Sequence, residues 1–501
     1  MIVFDSKAHG ALSNWCRMNK ALAYAAFGVT TCLTLLGCAA PKQTFVDPIT
    51  DTPAAWTSVL PTKELQDASR YPWWQALGNP TLDALVNQAL AQNTSVARSA
   101  KAVEIANQQL NTVKLGWLPS LTLFGGRITG NTTLFFQGLP VPLSDVGNFV
   151  GILPNYFVNL FRLPYEQRQA MELVDVARAE MLAVRLAIIG EVVSAYALAL
   201  SAERELALLA EFEARIDRQE RLLTDLQSVG MASQSMVNQV KAQKLGVQGQ
   251  RALAQANAVA ARNALNTLVR NPLGTSLASD SLENLSVSER IAQQTPAAVL
   301  NTRPDIVAQR ARVLAATTGI DVQTMLLAPT LDFNALRTNI NTQTNSLGAS
   351  SNANFTAGYA TLALEPRIFG LIQTSQLQAQ DALLQYVQTV DRAIADVDDA
   401  IAALGAQLLN LQALTEQVDT LEASVRDLRA LEQAQLTSEL RVLEAEIETI
   451  AAKMSLTQAK AQTTLAYAAL QQAMGIGVLY DTENLALKNG LIEKRSDEKV
   501  H

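Results

Sequence analysis

Between Leu383 and Leu431, branched apolar residues recur at Leu383, Val387, Val390, Ile394, Val397, Ile401, Leu404, Leu408 and Leu411. Their steps alternate 4 and 3, the spacing of a coiled-coil seam. After one 3,3 irregularity the series resumes at Leu414, Val418, Leu421, Val425, Leu428 and Leu431, with no Pro and only Gly405 inside it. At 1.5 Å per residue such a helix runs roughly 70 Å, longer than a compact domain is wide. A seven-residue repeat held this long imposes a left-handed supercoil. The seam therefore requires another long helix as its partner, and no globular core can be built from it.

What the chain lacks narrows its chemistry. Its two histidines, His9 and His501, sit at the extreme ends, and its three cysteines, Cys16, Cys32 and Cys38, lie in the first 38 residues. A disulfide framework, a Cys/His metal site and a His-based catalytic dyad are thereby excluded from the body. The net charge is −7, and removing residues 1–37, which carry Lys7, Arg17 and Lys20 against Asp5, takes it to −9. An acidic chain without basic runs argues against nucleic-acid binding. No enzyme activity is expected, since the inventory offers carboxylates without a recognisable site.

Residues 21–36 form an uncharged apolar run after Arg17 and Lys20, too short for a membrane span and suited to the core of a secretory signal. The run ends at Leu35-Leu36-Gly37-Cys38, followed by Ala39-Ala40-Pro41, which resembles a bacterial lipoprotein signal. That resemblance implies cleavage between Gly37 and Cys38, then diacylglycerol and N-acyl (palmitate) attachment at Cys38, with no other cofactor. More than one acyl chain gives stable anchoring, at about 0.8 kcal/mol per buried CH₂. The absence of Asp after the Cys implies sorting to the outer membrane. Met18-Asn19-Lys20 would also make an ordinary signal start, and an unlipidated signal with a chance Cys is the plainer alternative.

The chain also repeats itself. Leu118-Pro119-Ser120-Leu121 recurs as Ala328-Pro329-Thr330-Leu331, and 26 residues before each Pro stand Asn93 and Arg303, each opening a helix-like run. A long helical pattern over 166–228 has its counterpart at 374–434, with a seam at Leu182, Leu186, Ile189, Val193, Tyr196 and Leu200. Second helices follow at Ser233–Arg270 and Ser438–Met474, with Gly-bearing stops expected at Asn271-Pro272-Leu273-Gly274 and Met474-Gly475-Ile476-Gly477. This is a duplicated unit. The expected organisation is a signal peptide (1–37), an extended leader (38–70), a first repeat (71–274), a linker (275–299), a second repeat (300–477) and a polar tail (478–501). The first repeat holds a helix, a β-hairpin at 120–162 and long helices over 166–270. The second holds a helix, a β-hairpin at 330–369 and long helices over 373–474.

The β windows flank polar stretches, Leu121–Arg127 with Asn148–Phe161 and Leu331–Ile340 with Phe355–Leu364. They fit either membrane-crossing strands or soluble hairpins capping the coiled coil. Past the signal no uncharged apolar stretch of about 18 residues exists, so any bilayer crossing is by strands. Four strands cannot close a barrel, and an open edge in lipid leaves backbone groups unpaired, so a membrane version must pool strands from several chains.

Trp73-Trp74 with Leu77-Gly78-Asn79-Pro80, Gly230 with Ser233, Thr302-Arg303-Pro304-Asp305-Ile306, and Val442-Leu443-Glu444-Ala445 occur in this order on a doubled chain. Together they resemble the TolC-like outer-membrane efflux duct family, in its lipoprotein branch, over about Tyr71 to Gly477. The resemblance implies a mainly α fold with a small β part. Three protomers would form a homotrimer with a 12-stranded outer-membrane β-barrel and a coiled-coil periplasmic α-barrel. Its expected function is passive conduction of drugs, solvents or other small compounds. These would be received from an inner-membrane transporter through a periplasmic adaptor protein, with outer-membrane lipid as the other partner and no nucleic acid. The rival from another class is a structural or surface coiled-coil lipoprotein without a pore.

Several positions depart from the family pattern. Asp-Leu-Phe-Gly-Arg is replaced by Asn159-Leu160-Phe161-Arg162, and its second copy is Pro366-Arg367-Ile368-Phe369-Gly370. Gly230 keeps the glycine of the first helical tip, whereas Gln435 stands at the second. Arg441 occupies a place where relatives often carry an acid, and it would reverse the charge of a constriction. A solvated Arg441 paired with Glu444 or Glu439 is the plainer alternative. The expected tip or gate residues are Gly230, Ser233, Gln435, Arg441 and Glu444. Asp396, Asp398 and Asp399 fit pore lining or plain solvation, and no metal site is expected there.

Overall fold

The computed structural model describes residues 55–57, 62–64, 70–136, 139–271, 274, 281–287, 291–343, 348–362 and 365–479. Gly37, Cys38, most of the leader and the tail beyond 479 lie outside them. The chain is mainly helical with few strands, as its periodicity requires, and divides into two compact units.

The larger unit contains residues 48–121, 166–316 and 377–501. Among its described elements are strand β1 (Thr62–Glu64) and helices α1 (Pro80–Gln92) and α2 (Thr94–Leu115). Most of α3 (Leu163–Ser228) follows, then α4 (Gln234–Leu268), strand β4 (Ile291–Gln293), α5 (Pro296–Thr302), the first part of α6 (Pro304–Thr324), most of α7 (Arg367–Gln433) and α8 (Glu439–Ala473). At 66 and 67 residues, α3 and α7 are each about 100 Å long. The heptad seam of α7 turns inward: Val390, Val397 and Leu404 are 0% exposed and Ile401 1%, while Leu431 at the end is 41% exposed. Val397, Ile401 and Leu404 share one buried cluster with Ile189, Val193, Tyr196 and Leu200 of α3 and with Tyr467 and Leu470 of α8.

That cluster is anchored by aromatics. Trp73 packs edge-on against Trp74 at 5.9 Å and against Tyr467 of α8 at 5.8 Å, and the Tyr467 hydroxyl donates to the Trp73 carbonyl at 3.3 Å. Burying each such ring contributes on the order of 2–3 kcal/mol, so the pair fixes the 3₁₀ turn Trp73–Leu77, just ahead of α1, to the last helix. The leader joins the same belt. The Trp56 indole donates to the Gln294 carbonyl at 2.7 Å, and β1 pairs in parallel with β4.

One of the long helices, α3, is long and apolar enough to cross a membrane, but 56% of its most apolar stretch is buried inside the protein. Burial against α7 and α8 accounts for that apolarity, as it does for any core helix.

The smaller unit, residues 122–165 and 317–376 among those described, holds a four-stranded sheet. Its strands are β2 (Ser120–Phe136), β3 (Leu139–Val158), β5 (Thr330–Gln343) and β6 (Gly348–Thr361), in the order β2-β3-β5-β6. β3 pairs with β5 antiparallel from Val146↔Gln343 to Val158↔Leu331, and β5 with β6 from Thr330↔Thr361 to Gln343↔Gly348. The strands are longer than the alternation in the sequence indicates. The described stretches between the expected segments, 128–136, 139–147, 341–343 and 348–354, are strand too, in polar, Gly-bearing sequence that carries little period-2 signal. Asn159 closes β3: its side-chain Oδ1 accepts from the Phe161 and Arg162 amides at 3.1 and 2.9 Å, and its side-chain Nδ2 donates to the Met325 carbonyl at 3.0 Å. Asn in place of the family's Asp keeps the acceptor that starts α3 and adds a donor.

Candidate functional site

The free ends of the long hairpins form the first candidate site. α3 and α4 are joined by Val229–Ser233, and α7 and α8 by Ala434–Ser438, turns of equal length. In the first, the Gly230 amide donates to the Gln227 carbonyl at 2.9 Å and Met231 to Leu226 at 2.8 Å; in the second, Gln435 donates to Glu432 and Leu436 to Leu431, both at 2.8 Å. Both are Schellman closures with a left-handed residue at the pivot, Gly230 at φ 78° and Gln435 at φ 60°. Ser233 caps α4, its hydroxyl accepting from the Met236 amide at 3.3 Å, whereas Ser438 makes no such bond. Val229, Met231 and Leu436 are 67%, 78% and 74% exposed.

Arg441 and Glu444 lie exposed on α8. Among the described residues the Arg441 guanidinium is paired with neither Glu444 nor Glu439. Glu439 is instead 2.6 Å from Arg218 of α3. This bond and the charge of Glu439 raise the pKa of Arg218 above the ordinary value.

Glu446, about two turns beyond Glu439 on α8, was not evident from the sequence. Its carboxylate stands 2.6 Å from Arg215 of α3 and accepts from Arg429 Nε of α7 at 2.9 Å, so three helices from both hairpins meet on one acid. The signal was its register: Glu446 falls between Val442-Leu443 and Thr449-Ile450, on the buried face. A cavity of about 210 Å³ opens beside it, lined by Glu211, Arg215, Glu422, Arg426, Arg429 and Lys453 among others. Lys453 reaches Glu422 at 2.7 Å and, through that hydrogen bond, lowers the Glu422 pKa. The first hairpin is cross-braced by Lys244 to Asp217 and Glu220, Arg251 to Glu213, and Arg262 to Glu203, at 2.7 to 3.1 Å.

The second candidate is the belt around Arg303. Its guanidinium binds Asp305 at 2.7 Å and Asp396 at 3.2 Å, and donates to the Ala393 and Ala473 carbonyls at 3.3 and 3.1 Å. Burial opposes its charge, and the two carboxylates outweigh burial, so its pKa is raised. The acidic trio is thereby divided, since Asp396 holds Arg303 and Asp398 accepts from the Thr57 amide at 3.1 Å. No metal-holding cluster occurs among the described residues.

One of the two expected glycine stops differs and the other holds. α4 ends on Arg270 at φ 54°, whose amide donates to Thr267, with Asn271 donating to Asn266, rather than on Gly274. α8 ends on Gly475 by the same pair of bonds, to Gln472 and Gln471. All four long-helix stops thus share one closure, with glycine at only two.

Comparison with known proteins agrees with this geometry. Residues 295–476 match the family described as Outer membrane efflux protein. The Solvent efflux pump outer membrane protein SrpC of Pseudomonas putida is 25% identical over 359 residues, 68% of this chain and 73% of that protein. The Campylobacter jejuni CmeC outer membrane channel superposes with a TM-score of 0.73 at 17% identity, covering 90% of this chain and 98% of that one. The open-state Neisseria gonorrhoeae MtrE outer membrane channel gives 0.72 at 20% identity, covering 87% and 98%. The resemblance to TolC-like efflux proteins read from the sequence motifs is shown by these matches. The relatives are transport components rather than enzymes.

Proposed function

We propose, from the premise that this is a TolC-like outer-membrane efflux protein, that three copies form a passive duct of a tripartite efflux system. One observation carries the reading. The four-stranded sheet has two unpaired edges, β2 and β6, and strands of 14 to 20 residues, longer than the 9–11 a tilted crossing needs. β2 and β6 run antiparallel to each other because the strands alternate in direction, so β6 of one copy can pair with β2 of the next. Three copies then give a closed 12-stranded barrel without edges.

In this reading the strands cross the outer membrane and the long helices extend into the periplasm, with Cys38 lipidated. An inner-membrane transporter and a periplasmic adaptor deliver drugs or solvents to the helical ends. Gly230, Ser233, Gln435, Arg441 and Glu444 serve as the tip residues of the gated end, and the division into repeats 71–274 and 300–477 follows the two hairpins. The chain does no chemistry: it supplies a wall and a gate. Conductance of purified protein in planar bilayers, with native mass spectrometry, tests the reading. Trimers that conduct are expected. A single polypeptide that leaves vesicles watertight would leave the coiled-coil lipoprotein as the surviving alternative.

A further inference from the structure

The joint between the two hairpins gathers more positive charge than its acids match. Inside the first hairpin the balance runs the other way. Its braces set three cations, Lys244, Arg251 and Arg262, against four carboxylates, so each cation has an acid of its own. At the joint, the single carboxylate of Glu446 is shared by Arg215 of α3 and Arg429 of α7. Glu422 of α7 pairs with Lys453 of α8. Arg426, one turn beyond Glu422, joins no ion pair among the described residues. After the hydrogen bond and charge of Lys453, its charge helps to hold the Glu422 pKa low.

These groups are not scattered over a surface. All of them line one cavity of about 210 Å³ between α3, α7 and α8, within roughly 30 Å of the hairpin tips. The cavity's third acid, Glu211, is exposed on α3 and joins no ion pair among the described residues. Even with it, four cations face three acids, a local excess of positive charge in a chain whose net charge is −7. Glu446 is the buried member, its side chain 12% exposed, whereas those of Arg215 and Arg429 are 44% and 52% exposed.

The donors are only partly used. Arg429 turns Nε and one terminal nitrogen to the same Glu446 oxygen, and Arg215 approaches the other oxygen through Nε. A guanidinium has more N–H donors than these bonds use, and those of Arg426 are open as well. Two guanidiniums held on one carboxylate also repel each other, and a further anion among them relieves that repulsion. The fork of an arginine matches a pair of phosphate oxygens. A tetrahedral oxyanion presents such pairs in several directions, so it can meet arginines that come from both hairpins, whereas a lone carboxylate presents one edge.

We infer that this cavity binds a phosphate-class oxyanion between Arg215 of the first hairpin and Arg426 and Arg429 of the second, with Lys453 as the fourth cation. Glu446 competes with the ligand for two of the same arginines. The site is complete within one chain, so it goes beyond the duct reading and stands without it.

Isothermal titration of the full-length protein in detergent, at fixed ionic strength in chloride, tests this with inorganic phosphate as the probe. One saturable site per chain is expected, with acetate roughly tenfold weaker or worse. Arg426 is the residue to remove, because no ion pair of the fold needs it. Arg426→Ala should weaken phosphate roughly tenfold or more. Glu446→Gln tests the opposite sign: it removes the competing charge and keeps the side chain's shape, so phosphate should bind several-fold tighter. Glycerol 3-phosphate separates the two sources of the group. Affinity within about threefold of phosphate assigns the site to a phosphoryl group on a larger molecule, and weaker binding assigns it to the free ion; either result upholds the oxyanion site. Absence of saturable binding overturns it. Phosphate binding that Arg426→Ala leaves unchanged, or that Glu446→Gln fails to tighten, is an adventitious ion only and overturns it too. The titration reads monomers and trimers alike, so loss of the duct reading would leave this result standing.

Discussion

The two hairpin ends make the same turn from different residues. Val229–Ser233 and Ala434–Ser438 share their hydrogen bonds to within 0.1 Å, but only the first has glycine at the left-handed pivot and a serine that caps the next helix. The closure is thus dictated by the Schellman bonds, and the side chain at the pivot only sets its cost. A non-glycine residue at positive φ costs about 1 kcal/mol, and a missing cap adds up to about another. The second tip is therefore the weaker turn, and it leans on the first hairpin through Arg218–Glu439 and Glu446.

The largest test of this view lies at the opposite ends of the hairpins, where the pivots are Arg270 and Gly475. A Cβ on Gly475 would sit 3.2 Å from the Arg303 Cα and 3.3 Å from its nitrogen, against backbone that cannot move aside cheaply. Gly475→Ala is expected to cost about 2–4 kcal/mol, from strain plus overpacking. Arg270→Ala, already at φ 54°, should stay within about 0.5 kcal/mol. Thermal unfolding in detergent checks both, and equal shifts would refute the idea that packing separates the two stops.

Next comes the joint between hairpins. Glu446→Ala leaves Arg215 and Arg429 facing each other without their acid. Both arginines are half-exposed, so the global cost is held to about 1 kcal/mol. The local effect is larger, and proteolytic cutting at Ala434–Ser438 should rise while cutting at Val229–Ser233 changes little. Equal rates at the two turns would show that Glu446 does not support the weaker one.

A smaller effect separates the pivots themselves. Gly230→Ala meets no atom within 4 Å, so its cost is conformational, about 1 kcal/mol. Gln435→Gly should stabilise by up to about 1 kcal/mol, since relief at positive φ outweighs the added freedom of the unfolded chain. Destabilisation by Gln435→Gly would mean that the glutamine side chain holds the turn.

How much of this was legible beforehand follows the range of the forces. The heptad seam, the Pro304 helix start and the paired hairpins were plain because they rest on periodicity and local turn chemistry. Gln435 was visible as a glycine's replacement. Its left-handed geometry was not, because the closing bonds come from the preceding turn of helix and override residue preference. Arg270 was missed for the same reason, with Gly274 drawing attention four residues too late. Strand lengths were underread where Gly-, Asn- and Thr-rich stretches carry no alternation. Glu446 was missed because its partners sit 231 and 17 residues away in sequence, and only packing brings them together.

The finest test concerns the caps. Ser233 and Ser438 have nearly the same backbone, φ −89° and ψ 153° against φ −91° and ψ 150°, so each is placed to cap its helix. Only the Ser233 hydroxyl accepts, from the Met236 amide at 3.3 Å. A long bond at an exposed site belongs at the low end of capping energies, so Ser233→Ala should cost about 0.5 kcal/mol and Ser438→Ala a few tenths at most. Stability alone barely resolves such values, whereas amide exchange does. Met236 should exchange faster in Ser233→Ala, and the Arg441 amide, bound to the Ser438 carbonyl at 3.1 Å rather than to its side chain, should keep its rate in Ser438→Ala. A matched acceleration at Arg441 would mean that both serines cap, and that the two tips differ by their pivots alone.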